Sequence, residues 1–324
     1  MKLIFGPFAA VCAAIALMLA VPNSAQAQSS RTWVSINGND ANTCTRTSPC
    51  QTFQGAITKT AVNGEINCLD AGDFNPVAII KSVTIDCREA FNSINSANFS
   101  SGIAIQFENF NGSDSQRTVI LRHLGISGTT AGFIGIAITG GSNVPGTTVI
   151  IEDCVIQGMR FGTGRGIDDA RGGGGRLIVK NTTIQNNSGA AISVLPTSNS
   201  VNVQVLLDNV RGNASGTGAQ FGNLVRAAIV QSTFDANLGA GILTVSGAIA
   251  NIDRSTMSHN ANGVQAAGGI ITLANSNITL NTSQAVNVSG GSVVSFGNNR
   301  IAFNASPGTT PSAAGAASSD LGQQ

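Results

Sequence analysis

Four windows of the chain, IVQSTFDANL (229–238), IDRSTMSHNA (252–261), LANSNITLNT (273–282) and FGNNRIAFNA (296–305), follow one pattern. Each opens on an apolar residue, places a second at the sixth position and an Asn at the ninth: Asn237, Asn260, Asn281 and Asn304. Upstream, the sixth-position series continues through Gly212, Ile184, Ile156 and Ile126, a period of roughly 21–30 residues, and Asn187 joins the Asn series. Five residues before these anchors stand Leu121, Ile151, Val179, Leu207, Ile229, Ile252, Leu273 and Phe296. Seven residues before them stand Val119, Val149, Leu177, Val205, Ala227, Ala250, Ile271 and Val294. Both columns are apolar throughout in a chain that is 42% hydrophobic, so chance does not account for them.

Positions two apart share one face of a strand. Each repeat therefore supplies a short strand with two inward side chains, a polar corner, and a further inward anchor. A repeat this short cannot bury its own apolar face, so neighbours must stack at about 4.8 Å to form a continuous interior. Asn suits the corners, because it tolerates left-handed backbone and its amide can bond the same residue one coil away. The expected fold is all-β: a right-handed, single-stranded parallel β-helix of roughly ten coils over residues 62–304. A leucine-rich repeat would show a fixed L-x-x-L-x-L frame and less variation in length.

An open solenoid end is an exposed strand edge and needs a cover. Residues 28–61 are expected to supply a strand and a short capping helix, with Phe53, Ala56 and Ile57 on one helical face. Residues 305–324 are rich in Pro, Gly, Ala and Ser and are expected to be disordered. Residues 1–27 read as a cleavable signal peptide, with Lys2, an apolar run from Leu3 to Ala20 and the small-x-small site Ala25-Gln26-Ala27. The expected location is thus secreted or periplasmic, with no membrane span after cleavage.

Export permits disulfides. Cys68 and Cys87 follow Ile66 and Ile85 equivalently, and stacking would bring their Cα atoms to about 5 Å. Cys44 and Cys50 flank a loop beside the cap. Cys154 is left over, in the column of Leu124, Thr182, Val210 and Ser232, and reads as a buried thiol. With two His (His123 and His259) and no C-x-x-C pair, the chain offers no zinc site.

The stretch from Trp33 to Phe74 carries Gly38, Asp40, Asn42, Pro49, Thr52-Phe53 and Gly64 to Ile66. In this order it resembles the opening of right-handed β-helix proteins of the pectate-lyase-like superfamily. The resemblance extends over most of residues 31–304. It implies the fold, and it leaves the activity open, because the superfamily includes lyases, hydrolases, epimerases and non-catalytic adhesins.

Charged residues make up 10% of the chain and the net charge is +1, so no basic face marks a nucleic-acid binder. The charges do cluster between Glu152 and Lys180, around the Gly-rich segment 162–175, which reads as a loop bulging from the solenoid. Glu152, Asp168 and Asp169 could supply oxygens to calcium against an acidic sugar. Arg171 or Lys180 could then act as the base. A glycosidase would instead need two carboxylates about 5–9.5 Å apart, such as Asp153 with Asp168 or Asp169. The structural alternative is as concrete: Arg122, Glu152, Lys180 and Asp208 share one register position with alternating sign, as a salt-bridge ladder does. Asp153 shares a corner with His123, Asn181 and Asn209. Tyr is absent and Trp33 is the single Trp, which argues against an aromatic sugar cleft. The reading favoured by the sequence is an exported, non-catalytic module that contacts a glycan at the cell surface or in the periplasm. The alternative is a calcium-dependent polysaccharide lyase, or a glycoside hydrolase, acting on an acidic polysaccharide at the 152–180 loop.

Overall fold

The computed structural model describes residues 28–90, 92–96, 101–129, 132–141, 144–198 and 202–315. Residues 1–27, on which the expected signal peptide falls, lie outside them, as do residues 316–324. Three parallel sheets wrap into a right-handed parallel β-helix. Sheet A has 12 strands, and sheets B and C have 10 each. One coil illustrates the unit: Gly175–Lys180 in sheet A, Thr183–Gln185 in sheet B and Ala190–Val194 in sheet C. Each strand pairs in parallel with its counterparts in the coils before and after it.

The sequence pattern produces this cross-section directly. The columns through Val119 and Leu121 point inward from sheet A and are buried, as is the anchor column through Ile126 and Ile156 in sheet B. Gly212 belongs to the anchor column because a Cβ there would lie 2.7 Å from Cδ1 of Phe234, whose ring fills the space from the next coil. The last coil departs from the expected register. Leu273 pairs with Ser295 and Ile271 with Val293, while Ile278 still pairs with Ile301. The corner between them is one residue longer in that coil, so Val293 takes the buried position expected for Val294, and Phe296 is displaced from the column.

The corners need left-handed backbone. Between sheets A and B it is adopted by His123, Asp153, Asn181, Asn209, Gln231, Arg254 and Asn275. Between sheets B and C it is adopted by Asn186, Ala214, Ala236, His259, Leu280 and Phe303. Inside the second corner the Asn series forms a ladder. Nδ2 of Asn237 donates to Oδ1 of Asn260 at 2.9 Å, Asn260 to Asn281 at 3.2 Å, and Asn281 to Asn304 at 2.8 Å. A parallel ladder, unmarked in the sequence reading, runs through Ser232, Ser255 and Ser276, each Oγ accepting from the backbone N–H one coil earlier at 3.1–3.2 Å.

Helix α1 (Phe53–Lys59) covers the first coil with Phe53, Ala56 and Ile57 buried, as its spacing predicts. Asp40 sets its start by accepting from the N–H groups of Gln51 and Thr52 and from the Thr52 hydroxyl at 2.7–2.9 Å. Both expected disulfides are present, Cys44–Cys50 and Cys68–Cys87 with Cα separations of 4.7 and 4.8 Å. At the other end the expected disorder does not begin at residue 305. Ser306–Gly308 and Ser312–Ala313 add strands to sheets C and A. Pro307 is suited to this outermost strand because it presents no N–H at the open edge.

Candidate functional site

The residues between 152 and 180 do not converge. One coil carries the chain round the whole cross-section, so neighbours in sequence end on different faces. The Gly-rich segment is no single loop, because Arg165–Asp169 within it is a strand of sheet C. Glu152 ends a strand of sheet A and accepts from Nε of Arg122 at 2.7 Å. Lys180 and Asp208 continue that row in register, but among the described residues Arg122–Glu152 is the one ion pair formed in it, so the expected ladder has a single rung. Asp153 sits at the A–B corner with φ 55°, and its Oδ2 lies 3.7 Å from Nε2 of His123, whose Nδ1 meets Asp86 at 2.8 Å. Asp168 faces outward from sheet C and accepts from Arg165 at 2.9 Å.

Asp169 faces inward beside Ile138 and Val194 and is fully buried, as is Arg171. Nε and Nη2 of Arg171 donate to its carboxylate, Nη1 donates to Oγ1 of Thr147 at 2.8 Å, and the guanidinium lies 5.7 Å from the Phe107 ring centroid. Neither residue can reach a substrate. Glu152, Asp168 and Asp169 are thus on sheet A, on the outside of sheet C and in the core, and this set does not fit a calcium ion. Among the described residues no three His, Cys, Asp or Glu side chains are grouped as metal ligands. Cys154 is buried as expected, and burial pushes its thiol up to about 12, which keeps it protonated and inert.

The strands of sheet A instead create a surface outside the two inward columns. Where the inward columns are two apart, the residue between them must face out. That row reads Ile120, Ile150, Ile178, Leu206, Ala228 and Asn251. Its apolar members are not needed by the core. Ala228 is smaller than Leu206 before it, so a groove of about 380 Å³ opens over it. The groove runs across four coils, with Ile178, Leu206 and Ala228 in its floor and Arg176, Gln204, Arg226, Ile249 and Asn251 among its lining. At about 4.8 Å per coil, the two Arg side chains stand about 10 Å apart along the axis.

Nε of Arg176 donates to Gln204 at 3.2 Å, and Nη1 of Arg226 donates to the carbonyl of Gly247 at 2.8 Å. Neither is in an ion pair among the described residues. No carboxylate lines the groove. A second, more polar recess of about 480 Å³ shares Arg176 and Gln204 with it and is bordered by Thr148, Asn202 and the turn at Gly173–Gly175. Of the Gly-rich segment, then, only the turn into sheet A reaches this surface. The signal for the groove was present in sequence as three successive apolar residues, such as Val149-Ile150-Ile151, where a half-buried strand needs only two.

No protein-family model matches the chain, and no curated protein matches it. Solved structures do. Pectate lyase Pel9A is similar over 87% of this chain and 78% of its own, with 14% identity and a TM-score of 0.56. The GH136 lacto-N-biosidase from Eubacterium ramulus is similar over 87% of this chain and 67% of its own, with 10% identity and a TM-score of 0.55. The A-module of the Azotobacter vinelandii mannuronan C-5 epimerase AlgE6 is similar over 80% and 90%, with 14% identity and a TM-score of 0.50. At these identities the likeness is one of fold, and that fold is the right-handed parallel β-helix given by the apolar columns and the sheet register.

Proposed function

We propose that this protein is an exported β-helix that binds an acidic polysaccharide along the outer face of sheet A and does not cleave it. The observation that carries the reading is the groove over Ala228, with its aliphatic floor and the guanidinium groups of Arg176 and Arg226, which meet no carboxylate among the described residues. An aliphatic floor suits the C–H face of a pyranose, and Arg presents a planar fork that matches a carboxylate. A groove open along four coils suits a chain rather than a small compact ligand. Three similar folds belong to a pectate lyase, a lacto-N-biosidase and a mannuronan epimerase, which supports a carbohydrate ligand. The two disulfides support export, and no helix among the described residues is long and apolar enough to cross a membrane. The groove lining holds no Asp or Glu, so it offers neither the carboxylate pair of a glycosidase nor oxygens for the calcium of a lyase, which supports binding over bond cleavage.

Affinity electrophoresis of the protein from residue 28 onward tests this. Polygalacturonate in the gel is expected to retard the wild type, with retardation reduced by added salt. A neutral glucan is expected to leave its mobility unchanged, and Arg176→Gln with Arg226→Gln is expected to weaken the retardation. Equal retardation by both polymers would contradict the acidic ligand. A rise in absorbance at 235 nm on incubation with the polyuronate and calcium would show a lyase instead.

A further inference from the structure

On the outer face of sheet B one row of polar side chains bonds from coil to coil. Oγ of Ser258 donates to Oδ1 of Asp235 at 2.6 Å, Nδ1 of His259 lies 2.9 Å from the same oxygen, and Gln185 donates to Gln157 at 3.1 Å. Thr256, Asn277 and Arg300 are stacked in register, with Thr279 beside them. Their four side chains make no hydrogen bond or ion pair among the described residues.

Two apolar side chains border this unspent set. Leu280 and Phe303 occupy the B–C corner with φ of 60° and 59°, and they are 47% and 74% exposed. Earlier coils place Asn186, Ala214, Ala236 and His259 at that corner. Left-handed backbone is unfavourable for a bulky side chain, and exposure on this scale leaves little burial to offset it. The fold alone gives no reason to set Leu and Phe there in adjacent coils.

Thr256, Asn277, Thr279, Leu280, Arg300 and Phe303 enclose a recess of about 260 Å³. We propose that this recess is a second saccharide site, separate from the groove over sheet A, that takes one uronate residue or the end of a short uronate chain. The apolar face of a pyranose rests on the Phe303 ring and Leu280. Its hydroxyls meet the two Thr hydroxyls and the Asn277 amide, each able to donate and accept. Its carboxylate meets Arg300, the one charge in the recess. A phosphate would call for convergent backbone N–H groups at a nest or helix start, which a strand face does not provide. The site does not depend on the sheet A reading.

Calorimetric titration with trigalacturonate, and with cellotriose as the neutral control, tests the site. In Leu280→Asn with Phe303→Asn, the new residues suit the corner, so the melting temperature is expected to hold or rise while affinity at this site falls at least about tenfold. Arg300→Gln is expected to lower trigalacturonate affinity similarly, and Arg176→Gln with Arg226→Gln to leave this site intact. Wild-type affinity in both Leu280→Asn/Phe303→Asn and Arg300→Gln would overturn the proposal, as would cellotriose binding as tightly as trigalacturonate, or no binding of trigalacturonate by the wild type.

Discussion

Inside the solenoid, Nη2 of Arg171 donates to Oδ2 of Asp169 at 2.6 Å, and both side chains are closed off from water. Asp169, a candidate calcium ligand, and Arg171, a candidate base, are a structural pair. Through Thr147 the Arg also ties the turn leaving sheet C to the sheet A strand of the preceding coil, Thr147–Glu152, beside the polar recess.

Removing one partner of this pair strands a buried charge. Arg171→Leu is expected to destabilise the fold by about 3–5 kcal/mol, whereas Asp169→Leu with Arg171→Leu should lie much closer to the wild type. Urea denaturation followed by circular dichroism measures both. A single-variant cost below about 1 kcal/mol would mean that the pair is solvated.

The Asn ladder makes a similarly local prediction. Oδ1 of Asn260 accepts from the backbone N–H and from Nδ2 of Asn237 at 3.0 and 2.9 Å, and its Nδ2 donates to the carbonyl of Phe234 at 3.0 Å. Asn260→Leu leaves those buried groups without partners, at about 1–3 kcal/mol for each. Asn304→Leu, at the less buried end of the ladder, should cost less. Amide exchange should quicken first at Asn237 in the Asn260 variant, and uniform quickening along the chain would count against the ladder.

Acid should unlock the N-terminal cap. Burial raises the Asp40 carboxyl, but hydrogen bonds from Thr52 and Gln51, with the Lys59 charge nearby, outweigh it and hold the group below its ordinary value of 3.8. The unfolded chain therefore binds the proton more readily. The contribution is present above about pH 3.8 and is lost as pH falls through the lower folded value. Wild type should melt above Asp40→Asn at neutral pH, with the gap closing in that acid window. A gap that widened in acid would reverse the assignment.

Cys154 supplies a check on the core. With its thiol pushed up to about 12, it should resist Ellman's reagent in the native protein and react once the protein is unfolded in guanidinium. Rapid reaction of the native protein would place it at the surface.

Much of this was legible because the coil is regular. Val119 and Leu121 through Ile271 and Leu273 keep one spacing to their anchors, so counting residues locates the core. It failed where spacing changed, at Gly297, Asn298 and Asn299, whose longer corner moved Val293 inward. The site was less legible for a geometric reason. Asp153 and Asp168 are near in sequence but lie on different faces, whereas Arg176 and Arg226 are far apart in sequence and stand on one row. Clusters along the chain mislead in a solenoid, and charges recurring at coil spacing are the better guide.

The central claim is that the acidic ligand lies over Ala228, between Arg176 and Arg226, and not at the carboxylates Asp153 and Asp168. The most direct test is the dissociation constant of a polygalacturonate fragment, measured by calorimetry at one fixed salt concentration for three proteins. With Arg300→Gln present in all three proteins, so that the recess on sheet B is silent, Arg176→Gln with Arg226→Gln should weaken binding at least about tenfold relative to the parent, while Asp153→Ala with Asp168→Ala should leave it unchanged. Unchanged binding in the Arg variant, with loss in the Asp variant, would contradict the account.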